Sequence, residues 1–140
     1  AVGAVTRLRD MGVEPFLLSS SLIGVMAQRL VRVLDPDTKH AHQATDYECR
    51  TMGLDPANPP AIYRPSDDPM AGTGFRGRTG IYEVVAVDDE MRKMIHDGAG
   101  EHELENYARR NSPSIREDGM RQVLDGVTTL EEVLRVTRAS

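Results

Sequence analysis

Tryptophan is absent from this sequence, phenylalanine occurs twice, and cysteine occurs once, at Cys49. A lone thiol cannot form an intramolecular disulfide, which fits a reducing compartment such as the cytoplasm. The scarcity of aromatic rings, together with a net charge of −5, argues against a nucleic-acid surface, which would show a basic stripe with stacking side chains. No apolar run approaches the ~20 residues needed to cross a bilayer, and the N-terminus lacks the charged-then-apolar layout of a signal peptide. The expectation is a soluble chain with no transmembrane segment. Also missing are a Gly-x-x-x-x-Gly-Lys-[Ser/Thr] phosphate loop, a nucleophile elbow and a His-Glu-x-x-His motif, so no catalytic residue is assigned.

What is present is organised around the stretch from Gly74 to Val87. Gly74, Gly77 and Gly80 flank the basic residues Arg76 and Arg78, and a β-branched and aromatic run follows from Ile81 to Val87. A tight loop feeding a core strand is the expectation. The natural partner is the run Leu30 to Leu34, which makes residues 35 to 73 an insertion. The length of 140 residues suits one domain. Residues 1 to 11 read as a helix with Val5, Leu8 and Met11 on one face, and they begin in mid-pattern without Met or a cap, as a piece of a longer protein would. A second helix is expected from Pro15, with Phe16, Leu18, Leu22, Ile23 and Met26 apolar, giving way to strand near Gln28. The insertion is rich in Asp-Pro turn chemistry and is expected to be loop-like, with a short helix around Gln43 to Met52 and a strand at Ala61 to Arg64. From Asp88 onward the chain is helical. Asp88 or Asp89 caps a helix bearing Met91, Met94 and Ile95, Leu104, Tyr107 and Ala108 mark the next, and two Ser/Thr-x-x-Glu boxes, Ser114 to Glu117 and Thr128 to Glu131, open the last two. Met120, Val123 and Leu124 should face inward in one of these, and Leu130, Val133 and Leu134 in the other.

The candidates for chemistry are few. The acidic pairs Asp67-Asp68, Asp88-Asp89 and Glu131-Glu132 fit helix N-termini better than acid/base catalysis. His40 and His42 with Cys49 would approach a metal site only if the histidines shared a strand face, whereas their surroundings read as loop. Arg76 and Arg78 are the best anion contacts, because fixed guanidinium forks beside open backbone amides are what phosphate recognition uses.

Three long stretches, Pro15 to Arg32, Gly77 to Glu83, and Pro113 to Arg116 continuing through Thr128 to Thr137, closely resemble the C-terminal end of the type II secretion ATPase (GspE) family. The related type IV pilus assembly ATPases share the Gln28-Arg29-Leu30 and Arg78-Thr79-Gly80-Ile81-Tyr82-Glu83 stretches, but the run from Pro113 favours the secretion branch. The resemblance implies an α/β (α+β) fragment, the C-terminal end of a RecA-like P-loop ATPase domain, in which a β-hairpin flanked by helices carries a loop-rich insertion and a C-terminal helical cluster. The implied division is 1 to 34 as the end of the core, 35 to 73 as the insertion, 74 to 87 as the core strand and 88 to 140 as the helical subdomain. It further implies a parent that uses ATP and Mg, forms a homo-hexamer, lies in the cytoplasm at the inner membrane, docks on the secretion platform there, and drives addition of pseudopilin subunits. In the family the phosphate loop precedes the region matched here, so this chain alone should not hydrolyse ATP and needs no cofactor of its own. Arg78 falls in a motif that such ATPases place near the nucleotide, and it carries over as a nucleotide-facing residue. A free-standing, non-enzymatic interaction module is the competing alternative.

The family usually inserts a zinc module with two Cys-x-x-Cys pairs. The corresponding positions here are Asp35 and Thr38, then Asp67 and Met70, with 28 residues between the pairs and all four thiols gone. Asp, Thr, Asp and Met make no tetrahedral zinc site, so the expectation is a metal-free, partly disordered insertion anchored by Met52, Leu54, Ile62 and Tyr63. His40, His42 and Cys49 with a carboxylate remain the fallback for zinc.

Overall fold

The computed structural model describes residues 1–138. In chain order its elements are α1 (Gly3–Asp10), α2 (Pro15–Ser21), β1 (Gly24–Leu34), β2 (His40–Gln43), α3 (Asp46–Met52), β3 (Ala61–Arg64), a 3₁₀ turn at Pro69–Ala71, β4 (Phe75–Ala86), α4 (Asp89–His96), α5 (Glu101–Asn111), α6 (Ile115–Leu124) and α7 (Leu130–Thr137). The fold is mixed α/β, with β1 paired to β4 and β2 to β3. Residues 1–27 and 82–114 form one compact unit, and residues 28–81 with the stretch from Ile115 form a second. Both long strands contribute residues to each unit.

In the first unit Pro15 opens α2 at its first turn, where the missing N–H costs nothing. The helix then stops at Ser21, seven residues short of the expected Gln28. Ser19 Oγ bonds back to the Phe16 carbonyl and Ser20 Oγ to the Leu17 carbonyl, the local competition that makes serine a poor helix interior. Beyond them the pattern alternates, with Val25 buried and Met26 exposed, so Ile23 and Met26 do not belong to a helical apolar face. Phe16 and Met11, also expected inside, are exposed, the latter lying just past the end of α1. The core gathers Val5, Leu18, Val25, Val85, Met91, Ile95, Leu104 and Ala108. Asp88 caps α4 as expected, its Oδ1 accepting the Met91 N–H at 2.8 Å. Buried Met91 and Ile95 then each contribute about 1.5–3 kcal/mol of transfer free energy.

In the second unit the glycine-rich turn is not a loop. β4 already begins at Phe75 and has twelve residues against eleven in β1. Gly77, at φ 77°, is the one position of β4 in the left-handed region, a backbone conformation that glycine adopts without steric cost. The insertion is also more regular than its turn chemistry suggests. β2 and β3 pair antiparallel, His40 opposite Arg64 and Gln43 opposite Ala61. Thr45 and Glu48 form a reciprocal capping box on α3, with Glu48 N–H donating to Thr45 Oγ1 and Thr45 N–H to Glu48 Oε1. A continuous apolar cluster explains this order: Ala44, Cys49 and Ile62 pack with Met120, Val123, Leu130 and Val133, and Met52 and Leu54 lie against them. Ile62, Met52 and Leu54 are thus anchors, as expected, but the cluster they join also draws in Met120, Val123, Leu130 and Val133 from far along the chain. Leu124 is exposed rather than inward. The second box shifts by one residue, since Thr129, not Thr128, caps α7 through the Glu132 N–H.

Candidate functional site

Thr128 is displaced from capping because it serves β1. Its Oγ1 donates to the Arg32 carbonyl at 2.8 Å, the Arg32 N–H donates to Glu132 Oε1 at 2.8 Å, and the Leu34 N–H donates to the Val127 carbonyl at 2.8 Å. The outer edge of β1 is therefore closed by the α6–α7 connection, and open strand edges are what proteins must block to avoid stray pairing. Glu132 is buried and takes the Arg32 guanidinium on Oε2 at 3.1 Å and Arg135 on both oxygens. Burial alone would raise its pKa, but the hydrogen bonds from Arg135 and Arg32 outweigh burial and hold it at about 2. Arg32 in turn lies over the Phe75 ring, 4.2 Å from its centroid. This network fastens an edge, and every acceptor in it is occupied.

On β4, Arg76 reaches Asp35 at 3.7 Å and Asp37 at 3.9 Å and is mostly solvated. Arg78 is exposed and carries no hydrogen bond or ion pair among the described residues, so the sequence-derived anion contact is the guanidinium with its donors free. The other acidic pairs are structural. Asp68 Oδ1 accepts the Met70 N–H over the 3₁₀ turn, and Asp88, besides capping α4, accepts the Tyr107 hydroxyl at 2.6 Å on Oδ2. That hydroxyl lowers the Asp88 pKa, and the carboxylate raises that of Tyr107. The pair stands at a small open pocket lined by Val84, Ala86, Met91 and Asn111. Glu83, buried in the first unit, holds Arg109 on Oε2 and the Ala1 nitrogen on Oε1. The sequence gives no signal for Glu83, an isolated carboxylate on a strand, nor for the pairing of Asp88 with Tyr107, which lies 19 residues further along.

Of the four positions where the family resemblance would put zinc ligands, Asp35 is engaged otherwise and Thr38 Oγ1 is buried without a hydrogen-bond partner among the described residues. Asp35 Oδ1 accepts the Asp37 N–H, its Oδ2 faces Arg76, and Met70 is exposed at the 3₁₀ turn. His40 and His42 do share a strand, contrary to the loop expected there. Even so, His42 Nε2 pairs with Glu48 at 3.2 Å while Cys49 is sealed in the apolar cluster. No group of three His, Cys, Asp or Glu side chains that could hold a metal occurs among the described residues. The donors present do not fit zinc.

The first unit also leaves large apolar side chains exposed. Ile23 is 80% exposed, Met26 65% and Val84 60%, while Val25 and Val85 beside them are buried. No helix among the described residues is long and apolar enough to cross a membrane.

The family described as Type II/IV secretion system protein matches residues 1–135. The chain is 58% identical over 139 residues to the Type II secretion system protein E of Pseudomonas aeruginosa, covering 99% of this chain and 28% of that protein. It is 51% identical to the Type II secretion system ATPase E of Vibrio cholerae and 52% identical to the Type II secretion system protein E of Aeromonas hydrophila, spanning all or nearly all of this chain and 28% of each relative. The chain thus spans little more than a quarter of the length of these relatives.

Proposed function

Since the chain belongs to the Type II/IV secretion system protein family, we propose that it is the C-terminal part of an ATPase that powers type II secretion, and that its β1–β4 pair completes a RecA-like domain whose phosphate loop lies in the remainder of the parent. In this account the parent is a cytoplasmic homo-hexamer at the inner membrane that uses ATP and Mg to drive pseudopilus assembly against the secretion platform. The present chain supplies structure, and no ATP hydrolysis of its own. Arg78, exposed on β4 with its donors free, is the residue assigned to face the nucleotide.

The observation that carries this reading is the set of exposed apolar side chains in the first unit. Ile23, Met26 and Val84 are large apolar side chains left mostly in water at about 25 cal/mol per Å² of apolar area, and a covering partner would remove that cost. The rest of the parent is the proposed cover. The test is thiol labelling of Met26→Cys, with native Cys49 buried as an internal silent control. In the isolated chain the new thiol should label rapidly, and in the full-length parent it should be protected. Equal labelling in both would contradict the proposal.

A further inference from the structure

The donors at Asp35, Thr38, Asp67 and Met70 do not fit zinc, yet the insertion is an ordered two-strand and helix module, so something else must fasten it. We infer that residues 35–73 form a metal-independent module and that its fastening is a clasp of Lys39, Tyr63 and Gly126. Lys39 leaves the turn after β1 and donates from Nζ to the Gly126 carbonyl at 2.9 Å. The same ammonium lies 4.4 Å from the centroid of the Tyr63 ring, on β3. The third member fits both: a Cβ added at Gly126 would sit 3.0 Å from Tyr63 Cδ2 and Cε2 and 3.1 Å from Lys39 Nζ, and the residue has φ 79°. Only glycine admits the ring and the ammonium at this turn.

The clasp joins the two ends of the insertion to the turn that follows α6. Lys39 comes from its entry and Tyr63 from its second strand, while Gly126 sits one residue before Val127, whose carbonyl holds the Leu34 N–H. Beneath the clasp, Ala44, Cys49 and Ile62 pack on Val123, Leu130 and Val133. A zinc site fastens a loop to itself, whereas this clasp fastens the insertion to the helical pair. The insertion therefore moves as one body with α6 and α7, and its position responds to them and not to metal supply.

The experiment is elemental analysis of the full-length parent purified from zinc-supplemented medium, followed by hydrogen exchange of peptides covering 35–73 and 125–128, with and without chelator. The account predicts zinc far below one per chain and exchange unmoved by chelator. Lys39→Met should speed exchange of both regions about tenfold, the effect of losing a cation–π contact and a hydrogen bond together. Lys39→Arg, which keeps a cation over the ring and a donor, should restore most of the protection, and peptides of the first unit serve as the control for global unfolding. If Lys39→Met does not fold, Tyr63→Leu is read in its place. Stoichiometric zinc whose removal exposes the insertion would overturn the inference, and so would wild-type exchange in the Lys39→Met or Tyr63→Leu variant.

Discussion

Glu132 is the residue on which the second unit depends most. Its carboxylate is buried under two guanidinium groups and a backbone N–H, so removing it leaves the Arg32 N–H without its acceptor at a closed strand edge. Both guanidinium groups are half exposed and would return to water, so the main loss is the unpaired Arg32 N–H and the screened ion pairs, and Glu132→Ala should lower unfolding stability by about 1–3 kcal/mol in a denaturant titration. The same residue sets an acid limit. Its folded pKa of about 2 lies below the ordinary 4.5, so its stabilisation is fully present above pH 4.5 and is lost as pH falls from there through 2. Glu132→Gln should flatten the stability profile in that window, where the parent sequence slopes. At Gly126, alanine would meet both the left-handed backbone and the Tyr63 ring, and Gly126→Ala should cost about 1–3 kcal/mol by thermal unfolding. Little of this was legible beforehand. Glu131-Glu132 looked like a helix-terminal acidic pair, and nothing in a sequence shows that one of the two lies against a strand about a hundred residues earlier.

Elements were more legible wherever the signal was local. Pro15 opening α2, Asp88 capping α4 and the strand Ala61–Arg64 all rest on residues a few positions apart, and all three stand in the structure. The failures share a cause. The end of α2 is ambiguous in the sequence because Leu22, Ile23 and Met26 satisfy helical spacing as well as strand alternation, and the three serines that end the helix are only a weak local signal. The glycine-rich stretch reads as a loop because a glycine with positive φ inside a strand and one in a turn look alike until the partner strand is known. The Thr45-x-x-Glu48 box is a local signal that turn residues on both sides obscure. It is a real cap, and Thr45→Ala should cost about 1 kcal/mol of stability. Hydrogen exchange should place that loss in α3 and leave the first unit unchanged, since Thr45 and its partners all lie in the second.

For the whole molecule, family membership was readable from three long motifs, and the chain covers little more than a quarter of its relatives. Its buried carboxylates Glu83 and Glu132 are engaged by arginines, its acidic pairs lie at element starts, and Arg78 on β4 has no hydrogen bond or ion pair among the described residues. The missing thiols were plain in the sequence, but the packing that takes their place was not, because it joins residues 39, 63 and 126. The most direct test of the account is phosphate release from ATP and Mg, measured side by side for the isolated chain and the full-length parent. The account predicts steady turnover by the parent, a clear fall in that turnover for parent Arg78→Ala with its fold intact, and no release above background by the isolated chain. Turnover by the isolated chain, or a parent indifferent to Arg78→Ala, would contradict it.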